Sequence, residues 1–222
     1  MFSNILNLIY PNKCIFCKSI LDFYSLEKKE FTCNNCKKKL EYIRGVINIQ
    51  KASNKHFDYF ICAYSYEKII RKLLLDFKFY NKKHLCYFLA SDLSKILGEF
   101  HLEKVDYISY VPISFYRYIN RGYNQSELIA KCISRSLGVP LLKYCLVKIK
   151  NNKAQSTLNI SKRKSNVNGV YKVLFKKAIK GKSIILVDDI YTTGSTVNEC
   201  SRILKDAGAK SIIVATVARA AG

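Results

Sequence analysis

From Phe57 onward the apolar positions switch repeatedly between two periods. FDYFICAYSY (57–66) is rich in β-branched and aromatic residues and alternates over part of its length, which predicts a strand. EKIIRKLLLDF (67–77) and HLCYFLASDLSKIL (84–97) repeat their apolar residues every three or four positions, as amphipathic helices do. DYISYVPI (106–113) reads as a strand ended by Pro112. NQSELIAKCISRSL (124–137) reads as a helix with Asn124 at its N-cap and Glu127 three residues on, a capping-box pattern, stopped by Gly138 and Pro140. SIILVDD (183–189) has the continuous apolar run of a buried strand. The helix predicted over 194–207 gathers Val197, Cys200, Ile203 and Leu204 on one face, and AKSIIVATVA (209–218) predicts a last strand. Strands alternating with helices imply an α/β domain whose mostly parallel sheet is covered on both faces. Residues 150–169 are polar, basic and aperiodic; a loop of that length in a compact domain is usually functional or disordered.

Residues 1–50 have a different texture and are expected to form a separate small domain, with 51–222 as the main one. MFSNILNLIY reads as a short amphipathic helix rather than a signal peptide, since it has no basic leader and no small-residue cleavage site follows. CIFC (14–17) and CNNC (33–36) stand 15 residues apart, with a basic helical run expected over 37–42. A C-x2-C-x15-C-x2-C spacing fits a zinc site formed by Cys14, Cys17, Cys33 and Cys36. Four thiolates close the tetrahedron and leave no open position for water, so the expected zinc is structural. A unit this small has little core, and metal binding would contribute about 10 kcal/mol or more to its folding. His56, His84 and His101 fall outside this spacing and are expected to be ordinary surface or core residues.

The chain carries 38 basic and 16 acidic residues, a formal charge of +22. Such a field favours polyanions: nucleic acid, phosphorylated ligands or an acidic membrane face. Between Leu128 and Val187 there are 14 Lys or Arg and no carboxylate, which reads either as a functional basic surface or as a solvated face. AT-rich coding accounts for part of the lysine excess in a chain so rich in Asn, Ile, Tyr and Phe. The other five cysteines, Cys62, Cys86, Cys132, Cys145 and Cys200, are scattered singly, as small hydrophobes in a reducing compartment are. Cytoplasmic location is the expectation, and no apolar run approaches the roughly 18 residues of a membrane span.

The sharpest signal is ILVDDIYTTGST (185–196). A parallel strand ends at Asp188 and Asp189, and a helix begins near Gly194. Ligands of open α/β sheets bind beyond the carboxyl ends of the strands. The backbone N–H groups of residues 192–196 can converge there on a phosphate, and Thr192, Thr193, Ser195 and Thr196 add hydroxyl donors. Carboxylates repel a phosphate but accept hydrogen bonds from vicinal hydroxyls, or hold Mg²⁺ directly or through water. A phosphate and a diol one sugar apart describe a ribose 5-phosphate. The spacing is not that of a P-loop.

This segment resembles the 5-phosphoribosyl-1-pyrophosphate (PRPP) loop of type I phosphoribosyltransferases. There the acidic pair contacts the ribose hydroxyls and the following loop cradles the 5-phosphate. DDIYTTG, with Tyr191 where the wider family prefers an aliphatic residue, is similar to one branch, the ComF family of competence proteins. VPISFYRYINRGYNQSELIAK (111–131) resembles that branch's motif at the pyrophosphate loop, which implies pyrophosphate contacts for Arg117 and Arg121. LLLDFKFYNKKHL resembles its Phe-Lys-Tyr element and carries over Lys78. AQSTLNISKRKSNVNGVY (154–171) resembles the flexible loop that closes over PRPP, with Gln155, Arg163 and Asn166 in matching places. Just upstream the family usually has an arginine where this chain offers Lys148 or Lys150, a point charge in place of a bidentate group.

The resemblance implies a type I phosphoribosyltransferase fold with a small N-terminal zinc ribbon, PRPP with Mg²⁺ as ligand, and structural Zn²⁺. It further implies a role in natural competence, assisting single-stranded DNA into the cytoplasm beside the uptake machinery at the cytoplasmic side of the inner membrane. The protein would be cytoplasmic or peripheral to that membrane, never integral in it. Phe115, Tyr116, Tyr80 and Tyr123, interleaved with basic residues, are candidates to stack bases or to line the core. Two other readings stay open: transfer of phosphoribose to an unidentified small-molecule acceptor, and a PRPP sensor without turnover. Glutamine-dependent amidotransfer is opposed, because residue 2 is Phe and offers no N-terminal cysteine nucleophile.

Overall fold

The computed structural model describes residues 11–21, 30–48, 55–99, 105–150 and 169–220. The helix expected in MFSNILNLIY and the loop residues Gln155, Arg163 and Asn166 lie outside the described residues, as does His101. The chain divides into two compact units, Met1–Glu41 and Tyr42–Gly222.

In the first unit, Cys14 and Cys17 flank a turn closed by the Lys18 N–H on the Cys14 carbonyl at 3.0 Å. An antiparallel bridge joins Lys13 to Ile20. Cys33 is the N-cap of a single-turn helix, α1 (Asn34–Lys37). The helical run expected over 37–42 is not formed: α1 ends at Lys37, and Tyr42 already belongs to a strand of the second unit. That strand, β1 (Tyr42–Asn48), is why the compact units divide after Glu41 rather than at residue 50.

The second unit continues with β2 (Tyr59–Ser65), α2 (Lys68–Phe79), α3 (Leu85–Glu99), β3 (Tyr107–Tyr110), α4 (Phe115–Arg121), α5 (Gln125–Leu137), β4 (Leu146–Lys148), β5 (Tyr171–Val173), α6 (Lys176–Ile179), β6 (Ser183–Tyr191), α7 (Ser195–Asp206) and β7 (Ser211–Arg219). Five strands form one sheet in the order β1-β2-β7-β6-β3. All neighbours are parallel except β1, which runs antiparallel along the edge of β2. β4 and β5 form a separate antiparallel pair at the two roots of the 150–169 segment.

Burial follows the sequence pattern. β6 and β7 are buried nearly end to end, as central parallel strands must be. Side chains alternate across a sheet. On one face Ile184, Leu186, Ile212 and Val214 pack with Phe60, Cys62 and the α7 residues Val197, Cys200 and Leu204. On β6, Ile185, Val187 and Asp189 therefore point to the other face. The isolated cysteines of this unit are buried or half-buried and all are free, as small hydrophobes.

Register creates the site. The last residue of β3, Tyr110, pairs with Val187, and the Val111 N–H bonds the Val187 carbonyl at 3.0 Å. β6 runs on for four more residues beside β7, to the pair Tyr191 and Arg219. Asp188 and Asp189 thus flank a notch where β3 has stopped.

Candidate functional site

The notch opens into a cavity of about 350 Å³. Among its lining residues are Lys78, Arg117, Arg121, Lys148, Asp188, Asp189, Thr192, Gly194, Ser195 and Thr196. Of the sequence-derived site residues, the cavity brings together the acidic pair, the hydroxyl loop, both arginines and Lys78. Thr193 does not line it; its Oγ1 lies 2.9 Å from Ser195 Oγ and accepts from the Ser195 N–H at 3.4 Å, so it braces the first turn of α7.

Each carboxylate has its own partner. The Ser126 hydroxyl donates to Asp188 Oδ1 at 2.9 Å. Ser126 sits at the start of α5, where the Asn124 side chain caps the Ser126 N–H at 3.0 Å. The Asn124 amide also donates to the Val111 carbonyl at 3.0 Å, tying the helix entry to the end of β3. The expected capping box is therefore half formed: Asn124 caps, while Glu127 turns to Lys131 at 2.8 Å. Asp189 forms an ion pair with Lys78 of α2 at 2.7 Å.

Burial acts strongly on this cluster. Desolvation, then the neighbouring Asp189 charge, pushes the Asp188 carboxyl up to about 7. Burial and the Arg117 charge hold Lys148 down at about 8. Arg121 is lowered by burial and by Arg117. A cation near the carboxylates would be welcome here, and so would an anion among Arg117, Arg121 and Lys148. The oxygen donors of Asp188 and Asp189 suit Mg²⁺, and the ammonium of Lys78 already fills a cation's place on Asp189.

The loop after the pair is shaped by two glycine requirements. Gly194 is the N-cap of α7 at φ 72°, in the left-handed region. A Cβ there would also collide with the Tyr191 ring. Tyr191 in turn packs on Phe60, ring centroids 4.5 Å apart.

Arg117 and Arg121 stand on a short helix rather than an open loop. Ser114 caps α4 by accepting the Arg117 N–H at 3.4 Å. Arg121 donates to Gln125 Oε1 at 3.2 Å. Gln125 is almost fully buried, lines the cavity, and its Nε2 has no partner among the described residues. Lys148 lies opposite Tyr171 in the β4–β5 register with its ammonium 5.6 Å from the ring centre, so both roots of the 150–169 segment stand in the cavity wall. Ser126, Gln125, Tyr66 and Tyr171 line the cavity and were not singled out as site residues from sequence. Of the stacking candidates, Phe115, Tyr116 and Tyr80 are exposed, whereas Tyr123 belongs to the core: it is buried against Phe77 and its hydroxyl donates to the Phe77 carbonyl.

In the first unit, the sulfurs of Cys14, Cys17, Cys33 and Cys36 all lie within 4.8 Å of one another. Those of Cys17 and Cys33 are 3.6 Å apart. A tetrahedral zinc with bonds of about 2.3 Å sets its sulfurs about 3.8 Å apart, so the four residues fit one ion.

Residues 123–222 match the phosphoribosyl transferase domain family. With the parallel sheet and flanking helices, this defines a type I phosphoribosyltransferase fold. The chain is 28% identical to "Competence protein F" of Haemophilus influenzae over 196 residues, 85% of this chain and 84% of that protein. It is 30% identical to "Competence protein ComFC" of Bacillus subtilis over 149 residues, 66% of this chain and 58% of that protein. Among solved structures, glutamine PRPP amidotransferase of B. subtilis, complexed with ADP and GMP, aligns at a TM-score of 0.40 and 19% identity, covering 59% of this chain and 26% of that one. The chain is thus similar to competence proteins of the ComF type over most of its length, with a phosphoribosyl transferase domain in its C-terminal part. No helix among the described residues is long and apolar enough to cross a membrane.

Proposed function

We propose that the cavity at the end of β6 binds PRPP with Mg²⁺, in a cytoplasmic protein that handles single-stranded DNA during competence. The observation that carries the reading is the set of chemistries lining one cavity: two carboxylates, a hydroxyl-rich helix N-terminus and two arginines. In this reading Asp188 and Asp189 take the ribose hydroxyls and the metal. Thr192, Gly194, Ser195 and Thr196 hold the 5-phosphate, with Thr193 bracing them. Arg117, Arg121 and Lys78 meet the pyrophosphate, and Gln125 offers its unpartnered N–H. Bound Mg²⁺ would supply charge neutralisation of the pyrophosphate. The segment carrying Gln155 and Arg163 would close over the ligand from roots at Lys148 and Tyr171. The N-terminal unit holds one structural zinc.

The DNA role is supported by the family and by the carboxylate-free basic stretch between Leu128 and Val187. Calorimetry tests the site: Asp188→Asn with Asp189→Asn is expected to abolish PRPP binding at an unchanged circular-dichroism spectrum, and unchanged affinity would sink the assignment. A gel shift with single-stranded DNA tests the role, where affinity should fall steeply with salt. Pyrophosphate release in the presence of PRPP, Mg²⁺ and DNA or small-molecule acceptors separates turnover from sensing.

A further inference from the structure

A second cavity of about 590 Å³ adjoins the first. Its wall consists of Lys78, Phe79, Asn81, Lys83, Arg117, Asn120, Arg121 and Gly122, with four cations and no carboxylate. Lys78, Arg117 and Arg121 line both cavities; Lys83, Phe79 and the two asparagines belong to the second alone. We propose that this second cavity is a nucleotide site, taking a phosphate chain on its lysines and arginines and a nucleobase on Phe79.

The phosphate half of the argument is electrostatic. Arg117 and Arg121 lie close enough that each opposes the other's charge, and among the described residues no carboxylate forms an ion pair with Arg117, Arg121 or Lys83. A polyanion offsets that repulsion, and guanidinium groups bind phosphate oxygens bidentately. The base half rests on Phe79. The buried face of α2 consists of Ile70, Leu73, Leu74 and Phe77. Phe79 is off that face and 63% exposed, which costs hydrophobic free energy unless something covers the ring. The Arg121 guanidinium stacks on it at 5.2 Å, leaving a charge-backed aromatic platform of the kind on which nucleobases stack. Asn81 and Asn120 add amide donors and acceptors that match a base edge. The volume falls within the range of small-ligand pockets.

Because three cations are shared, a nucleotide here and a pyrophosphate next door compete for the same charge. Each therefore weakens the other reciprocally, by about 5-fold or more.

The test is calorimetry on the full zinc-loaded chain with ATP as probe. Phe79→Ala and Lys83→Gln are each expected to weaken ATP at least tenfold while changing PRPP affinity less than twofold. Inorganic triphosphate should bind the unaltered protein as weakly as ATP binds Phe79→Ala. Asp188→Asn with Asp189→Asn should lose PRPP and keep ATP, so failure of the PRPP reading and failure of this one are distinguishable. ATP that fails to bind, ATP affinity unmoved by both substitutions, or inorganic triphosphate binding as tightly as ATP would overturn the proposal. A hexathymidylate competitor identifies the source of the nucleotide: displacement of ATP points to a residue of a strand, and its absence to a free nucleotide, each with the site intact.

Discussion

The position of Asp188 makes binding at the β6 site a proton-release reaction. Its carboxyl is pushed up to about 7 by desolvation first and by Asp189 second, against the stabilising Ser126 hydroxyl. Mg²⁺ or a ribose diol requires the carboxylate, so PRPP binding must displace the proton wherever one is present. At pH 6 most molecules carry it, and affinity should lie on the order of tenfold below its plateau; at pH 5 the deficit should grow by roughly another factor of ten. Above pH 8 this group imposes no further change. At pH 7 about half a proton leaves per ligand bound. The assay is calorimetric titration with Mg²⁺ and PRPP at pH 7 in two buffers of different ionisation enthalpy, whose difference counts protons directly. Ser126→Ala removes a hydrogen bond to the charged form and should move the acid limb to higher pH. The same shift bears on the unliganded fold. A carboxyl whose folded value is raised contributes stability below its unfolded value near 4, and that contribution is lost as pH rises through 7. The melting temperature of the free protein should accordingly fall between pH 5 and 8 as far as this group is concerned, and ligand should restore it. A buffer-independent binding enthalpy with equal affinity at pH 6 and pH 8 would refute the reasoning.

At the alkaline end, Lys148 is held down at about 8 by burial and Arg117, so anion affinity should decline above pH 8; Lys148→Arg should flatten that limb in the same titration. Gly194→Ala must hold a left-handed backbone and displace the Tyr191 ring, and should cost on the order of 1–3 kcal/mol by thermal melting, with partial recovery when Tyr191→Ala is added. Leu186→Ala, at a fully buried position of β6, should destabilise by about 2–5 kcal/mol in urea titrations without altering the metal content of the N-terminal unit. Elemental analysis should find one zinc per chain, and Cys36→Ser should abolish it while the second unit keeps its melting transition.

The strands β2, β6 and β7, the long helices and the caps Asn124 and Gly138 were legible in sequence because they rest on local pattern: apolar runs, helical spacing and residues with special backbone preferences. Asp188, Asp189 and the hydroxyl loop were legible because one continuous segment carries them. What escaped was non-local. β1 is an antiparallel edge strand, defined by its long-range pairing to β2 rather than by a local pattern. α4 escaped because its seven residues bury no side chain, so no amphipathic face announces it. Ser126 reaches Asp188 across 62 positions, only because β3 stops one residue short of the acidic pair. Tyr123 reads like its exposed aromatic neighbours, yet lies in the core because the turn after α4 points it inward at Phe77.

The tyrosine at position 191 has a structural role in the same geometry. An aliphatic residue at 191 would have no planar face to lay across Gly194. Tyr191 fills that space and reaches Phe60 on β2, two strands away, since β7 lies between β2 and β6. The ring thus links the tip of β6 to a strand with which β6 shares no hydrogen bonds, while the Tyr191 carbonyl accepts the Ala220 N–H at 2.9 Å and holds the end of β7. If the loop holds a phosphate as proposed, its rigidity favours binding, because ordering it only when the ligand arrives would subtract from affinity. Thr193 supplies that rigidity from the α7 side and Tyr191 from the sheet side, and Gly194, between them, has a left-handed backbone and no room for a Cβ beside the Tyr191 ring.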